Sequence, residues 1–148
     1  MTPTVTSTMT HAADLSTLLP HRAPMVLVDG VEHADCDECV ASFAVPAESP
    51  WVEDGLLMRA AFVEIAAQTA ALHAGLAARE AGGVPRNGYL GMVSRFRVHG
   101  DAHVGDVLRS TACRSTEFGT LTRVECRIER VADGAPLADG VLTVALTH

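Results

Sequence analysis

Ala60-Ala61-Phe62-Val63-Glu64-Ile65-Ala66-Ala67-Gln68-Thr69-Ala70-Ala71-Leu72-His73-Ala74-Gly75-Leu76, residues 60–76, is the stretch on which the fold turns. Between Arg59 and Arg79 its only polar side chains are Glu64, Gln68, Thr69 and His73. A helix with one apolar stripe lies on a surface, whereas one that is apolar nearly all round has to be surrounded by protein. The segment therefore predicts one long buried helix, running from about Gly55 to Glu80. Its alanines and Gly75 let another element come close, and Gly82-Gly83 with Pro85 end it.

The rest of the chain supplies strands to cover that helix. Upstream, Met25-Val26-Leu27-Val28 reads as a short apolar strand that Asp29-Gly30 breaks. Cys39, Ala41, Phe43 and Val45 then alternate with more polar neighbours, and Pro46, Pro50 and Gly55 mark a loop. Downstream, Leu90, Met92, Ser94, Phe96 and Val98 alternate with Gly91, Val93, Arg95, Arg97 and His99. Two further strands, Asp106–Glu117 and Thr120–Val131, meet at Phe118-Gly119. Asp133-Gly134 signals a hairpin into a last strand whose Leu142, Val144 and Leu146 share a face. The order strand, strand, helix, four strands points to an α+β domain with one curved antiparallel sheet wrapped around one helix. Residues 1–13 read as a flexible leader, with a helical turn at Leu15–Leu19, and 14–148 as a single domain. Such a sheet has an edge at Leu90–Val98, and pairing two copies through it predicts a homodimer.

Composition narrows the function. The 148 residues hold 11 basic and 18 acidic side chains, a net charge of −7, with 4% aromatics, which argues against nucleic acid as a partner. A hydrophobic share of 48% excludes general disorder. Four cysteines are too few for a disulfide scaffold, and the Thr-rich first ten residues hold no Lys or Arg and no apolar signal-peptide core. The apolar run is interrupted by Glu64 and Gln68, so no membrane span is expected, and a cytoplasmic protein with reduced thiols is.

Three motifs carry a resemblance. Leu19-Pro20-His21-Arg22-Ala23-Pro24-Met25 opens the domain, Glu64-Ile65-Ala66-Ala67-Gln68 lies on the helix, and Val104-Gly105-Asp106 precedes a strand. In this order and spacing they resemble the 3-hydroxyacyl-[acyl-carrier-protein] dehydratases of the hotdog fold, over residues 18 to 147. The chain is most similar to the dehydratase-like subfamily associated with aryl-polyene gene clusters. The familiar dehydratases carry a catalytic His in a Gly-His-Phe-Pro loop before the helix. Here that stretch is Ala47-Glu48-Ser49-Pro50-Trp51-Val52-Glu53-Asp54-Gly55, without a His.

The resemblance implies removal of water from a 3-hydroxyacyl thioester borne on the phosphopantetheine of an acyl carrier protein or on coenzyme A, with no metal or redox cofactor. Such chemistry needs a base for the α-proton and an acid for the departing hydroxyl. Glu64 carries over from the family as the acid, Gln68 one turn later is placed to orient it or a water, and His21 is the proposed replacement for the absent base. The alternatives are that Glu64 pairs with Arg22, Arg95 or Arg97, and that His21 only fixes the chain's entry. The resemblance further implies a tunnel between protomers, with His21 facing Glu64 of the partner subunit and the acyl chain along Met58, Phe62 and Met92. Arg22, Arg86, Arg95 and Arg97 are candidates for the phosphopantetheine phosphate or an acidic carrier, against a solvated strand face.

His73 lies nine residues after Glu64, on the opposite face, and reads as structural. Cys36-x-x-Cys39 with His33 lacks a full zinc ligand set, and His99 and His103 fall in a loop, so no metal is expected. Two other functions stay open: an acyl-thioester hydrolase on the same fold, and a catalytically weak partner subunit in a heterodimer with another hotdog protein.

Overall fold

Leu15, Leu18 and Leu19 follow an i, i+3, i+4 spacing and bury one side of a short helix, α1 (Ala12–Leu18). The computed structural model of the chain describes residues 12–83 and 88–146. The expected leader falls outside these residues except for Ala12 and Ala13, which already belong to α1, and Pro85 and Arg86 fall outside as well.

After α1 come β1 (Gly30–Ala34) and β2 (Glu38–Ala44), then a two-residue hairpin of β3 (Val52–Glu53) and β4 (Leu56–Leu57), then the long helix α2 (Ala60–Glu80). Four strands complete the chain: β5 (Gly88–Val98), β6 (Val107–Phe118), β7 (Leu121–Arg130) and β8 (Pro136–Leu146). Six strands form one antiparallel sheet in the order β1-β2-β6-β7-β8-β5, wrapped around α2.

Two local expectations need correction. Met25–Val28 has no regular structure and lies outside the sheet, and β1 begins at Gly30, where the sequence suggested a break. The cause is Gln68, whose amide engages the Met25 carbonyl and the Leu27 N–H, so this backbone bonds to a side chain of α2 instead of to a strand. β3 lies in the expected loop at 46–55 and pairs with β4 just beyond it, where the helix was expected to begin, so α2 starts only at Ala60. Asp54 and Gly55, with φ of 53° and 76°, form the turn of this hairpin, and that Asp-Gly pair was the available signal.

The core lies between the sheet and α2, where Phe62, Ile65, Leu108, Ile128, Leu137 and Leu142 are fully buried. A second cluster joins α1 to Val28, Val31, Cys39, Ala41 and Leu72. A methyl group on Gly75 would lie 3.2 Å from Leu18 Cδ2, so the absence of a side chain there lets α1 press on α2. In length and composition α2 matches a membrane-crossing helix, yet ten of its residues are buried beneath protein, Gln68, Thr69 and His73 among them, which makes it a core helix.

β5 is an edge strand, as expected, and it is irregular, with register shifts at Leu90/Met92 and Ser94/Arg97. Arg95 sits in the second bulge with φ of 53°. Phe96 beside it lies across Gly140, where a Cβ would come within 2.7 Å of the Phe96 Cα.

Candidate active site

Glu64 and Gln68 are one turn apart on α2 and meet on its surface: Gln68 Nε2 donates to Glu64 Oε1 at 2.9 Å. The backbone sets the orientation of the Gln68 amide. Its oxygen accepts the Leu27 N–H at 2.8 Å and its nitrogen donates to the Met25 carbonyl at 2.8 Å, which leaves the second amide hydrogen for Glu64. Gln68 is fully buried, with all of these groups satisfied.

The same contact fixes where His21 goes. Leu18 and Leu19 anchor the chain on one side of it, and Met25 and Leu27 on the other. Arg22 closes the intervening loop by donating to the carbonyls of Leu19, His21 and Ser16. Between these anchors His21 Nε2 lies 3.2 Å from Glu64 Oε1 of the same chain. His21, Glu64 and Gln68 are thus brought together. The expectation was a contact with Glu64 of the partner subunit; within the chain His21 meets its own Glu64, and the Gln68 clasp holds the His21 loop to the same helix.

The pair opens on a groove of about 250 Å³ walled by Leu18, Ala67, Ala71 and Ala74 on one side and by Leu90 and Val144 on the other. A further cavity of about 270 Å³ shares Ala74 and Val144 with it and passes Ala70 and Ala77 to reach Arg114 and Glu117. The alanines that read as helix packing in the sequence thus also line these two cavities. About 30% of the Glu64 side chain is exposed, so the protomer alone does not enclose it as the apolar sequence around it suggested.

The other expected site residues lie elsewhere. Phe62 is fully buried in the core and does not line the groove. Met58 and Met92 are exposed, at the start of α2 and on β5, and neither lines it. Arg22 braces its own loop, and Arg95 is exposed on the β5 bulge. Of the arginines weighed as partners of Glu64, none engages it; His21 and Gln68 do. Sequence reasoning missed Leu18, Ala67, Ala71, Ala74, Leu90 and Val144, and the only signal for them was small or apolar residues on the face of Glu64 and along the edge strand.

The other described histidines and the cysteines lie away from this groove. His73 is buried and bonded to the Asp35 carbonyl at 2.7 Å, and burial holds its pKa below the usual value. His99 pairs with Asp139 at 2.6 Å while His103 faces Asp106, so the two do not converge. His33, Asp35 and Glu38 cluster near the β1–β2 turn. Cys39 is turned into the core, where burial pushes its thiol up to about 12, while Cys36 is exposed, so the C-x-x-C thiols do not form a pair of ligands. Where the loop histidine of the familiar dehydratases would fall, Trp51 and Val52 pack against the core. Gly105 takes a φ of 90° in the Val-Gly-Asp turn, and Asp106 there accepts the His103 N–H and pairs with Arg130, an architectural role.

One helix wrapped by a six-stranded antiparallel sheet, with a helix-borne acid facing a groove beside an edge strand, defines a hotdog-fold protein. Within that class the chain belongs to the ApeP-like family, described as ApeP dehydratase, whose model matches residues 13–147. Among solved structures, a chain of the dehydratase heterocomplex ApeI:P from Xenorhabdus doucetiae aligns with a TM-score of 0.84 at 23% identity, covering 90% of this chain and 91% of that one. A hypothetical thioesterase with coenzyme A from Streptococcus pneumoniae TIGR4 aligns with a TM-score of 0.65 at 14% identity, over 79% and 84% of the two chains. The PaaI protein from the phenylacetic acid degradation operon of E. coli gives 0.64 at 11%, over 80% and 78%. At these identities the likeness is one of fold. No curated protein matches the sequence.

Proposed function

We propose that the chain is a dehydratase that removes water from a 3-hydroxyacyl thioester to give the 2-enoyl thioester. The observation that carries this reading is the Glu64 carboxylate, clasped by His21 and Gln68 at the mouth of an alanine-lined groove. Membership of the ApeP-like family supports it. Elimination of water moves protons and transfers no electrons overall, so the proposal includes no metal or redox cofactor. The thioester arrives on the phosphopantetheine of an acyl carrier protein or on coenzyme A, in the cytoplasm. The acyl chain runs from Glu64 along Ala67, Ala71 and Ala74 toward Arg114, a path that replaces the one expected along Met58, Phe62 and Met92.

The proposal also includes a dimer. Val63, Glu64, Ala67, Ala71 and Ala74 form a half-covered stripe of α2 on the groove side, and the β5 edge carries exposed Tyr89 and Met92. A second hotdog subunit, identical or heterologous, would cover the edge. The complex formed by the Xenorhabdus doucetiae protein supports the heterologous form.

The test follows enoyl thioester formation from 3-hydroxyacyl thioesters of graded length, beside release of free thiol. Enoyl product without thiol release is expected, and Ala74→Leu should shorten the longest chain accepted. Thiol release alone would move the protein to thioester hydrolysis, a class named in one of its structural neighbours. Neither activity, with tight binding to another hotdog protein, would make it a partner subunit.

A further inference from the structure

We infer that His21 acts through Glu64, as the donor that fixes carboxylate oxygen Oε1, while Glu64 Oε2 is the atom that moves the protons. The inference rests on the dehydratase reading and assigns His21 the part of a positioning residue instead of the α-proton base.

The argument is one of lone pairs. A base must present an unprotonated nitrogen to the substrate, and an imidazole has two. His21 Nδ1 is buried with no hydrogen-bond partner among the described residues, so it meets no substrate. Nε2 lies 3.2 Å from Glu64 Oε1, an ion-pair contact. If Oε1 carried a proton and donated it to Nε2, the imidazole hydrogen would sit on Nδ1, buried without an acceptor. If Nε2 carries the hydrogen, the buried Nδ1 keeps only a lone pair, which is the cheaper group to leave unpaired. The second arrangement is therefore favoured, with the Nε2 hydrogen on the side of the Glu64 contact.

Oε1 then accepts the Gln68 N–H and faces His21 Nε2 at 3.2 Å, so it is the oxygen that the chain itself occupies. Oε2 has no recorded partner among the described residues, and the Glu64 side chain lines the groove. The step balances with this oxygen alone. Oε2 takes the α-proton, and the electron pair left on the α-carbon is held in the thioester enolate. The pair then forms the α,β double bond as the β-carbon–oxygen bond breaks. The proton on Oε2 passes to the departing hydroxyl, water leaves, and the carboxylate is restored. One oxygen serving both steps requires the proton and the hydroxyl to leave from the same face of the substrate.

The test compares three substitutions at position 21. The side-chain nitrogen of Gln replaces Nε2 as a donor and has no basicity, that of Asn stands nearer Nδ1, and Ala has neither. We expect His21→Gln to retain kcat within roughly tenfold of the unmodified protein and His21→Ala and His21→Asn to lose on the order of 10²-fold, with KM little changed. A His21→Gln variant of unchanged melting temperature that is as inactive as His21→Ala would overturn the inference. Should His21→Gln fail to fold, nitrogen-15 shifts of the imidazole in the unmodified chain decide: a hydrogen on Nε2 supports the inference and one on Nδ1 sinks it. If the unmodified chain performs no dehydration, the reaction and the part given to Oε2 both fall, and the nitrogen-15 result still decides whether His21 donates to Glu64.

Discussion

On opposite faces of α2 the same alanine-rich background surrounds two sets of polar side chains that behave very differently. On the sheet side, Thr69 donates to the Ile65 carbonyl and meets the Ser110 hydroxyl at 2.8 Å, and His73 reaches the Asp35 carbonyl. All three side chains are buried and bonded within the fold. On the groove side, Gln68 is equally buried, but it holds one oxygen of Glu64, whose other oxygen has no partner among the described residues. A polar residue in an apolar helix is therefore no sign of chemistry in itself. What distinguishes the groove face is a satisfied residue holding an unsatisfied one beside open space.

That contrast can be broken by substitution, and the largest effect should come from Glu64. Glu64→Gln keeps the shape and the bonds to His21 and Gln68 but removes the transferable proton. It should lower dehydration by on the order of 10²–10⁴-fold while shifting stability by less than about 1 kcal/mol. A comparable loss of stability in chemical denaturation would mean that Glu64 belongs with the structural set.

Gln68 should affect both functions. Gln68→Leu fills the space but strands the buried Leu27 N–H and releases the Met25 carbonyl, so unfolding free energy should fall by about 2–4 kcal/mol. The same variant loosens the His21 loop, and a stable Gln68→Leu protein with full activity would show that the clasp does not position the site.

Thr69 should affect stability alone. Thr69→Val leaves the Ser110 hydroxyl without its partner and should cost about 1–3 kcal/mol in a urea titration, with dehydration unchanged. Lost activity at native stability would dissolve the distinction between the two faces.

The smallest effect is a pH dependence. Burial holds His73 below its ordinary value of 6.5, so the unfolded chain takes up the proton first as pH falls. The stability that His73 contributes is complete above that value and declines below it, by at most about 1.4 kcal/mol per pH unit. His73→Gln should flatten unfolding midpoints between pH 7 and pH 5, roughly the span that separates histidine from carboxylate titration. An unchanged slope would place the proton uptake at another group.

The sequence by itself determined the architecture, because the relevant signals are local. An apolar helix interrupted only by Glu64, Gln68, Thr69 and His73 has to be wrapped, and alternation over 38–45 and 90–146 supplies the strands that wrap it. Helical phase alone was enough to set His73 opposite Glu64 and Gln68 beside it. The tertiary structure decided what depends on one side chain meeting a distant backbone. Gln68 takes the hydrogen bonds of Met25 and Leu27, over 40 residues away, so the apolar run 25–28 leaves the sheet and carries His21 onto the helix of its own chain. The same holds for the groove. Alanine spacing cannot say which face of a buried helix stays uncovered, because that is set by where the sheet ends, at the irregular β5 edge beside Glu64.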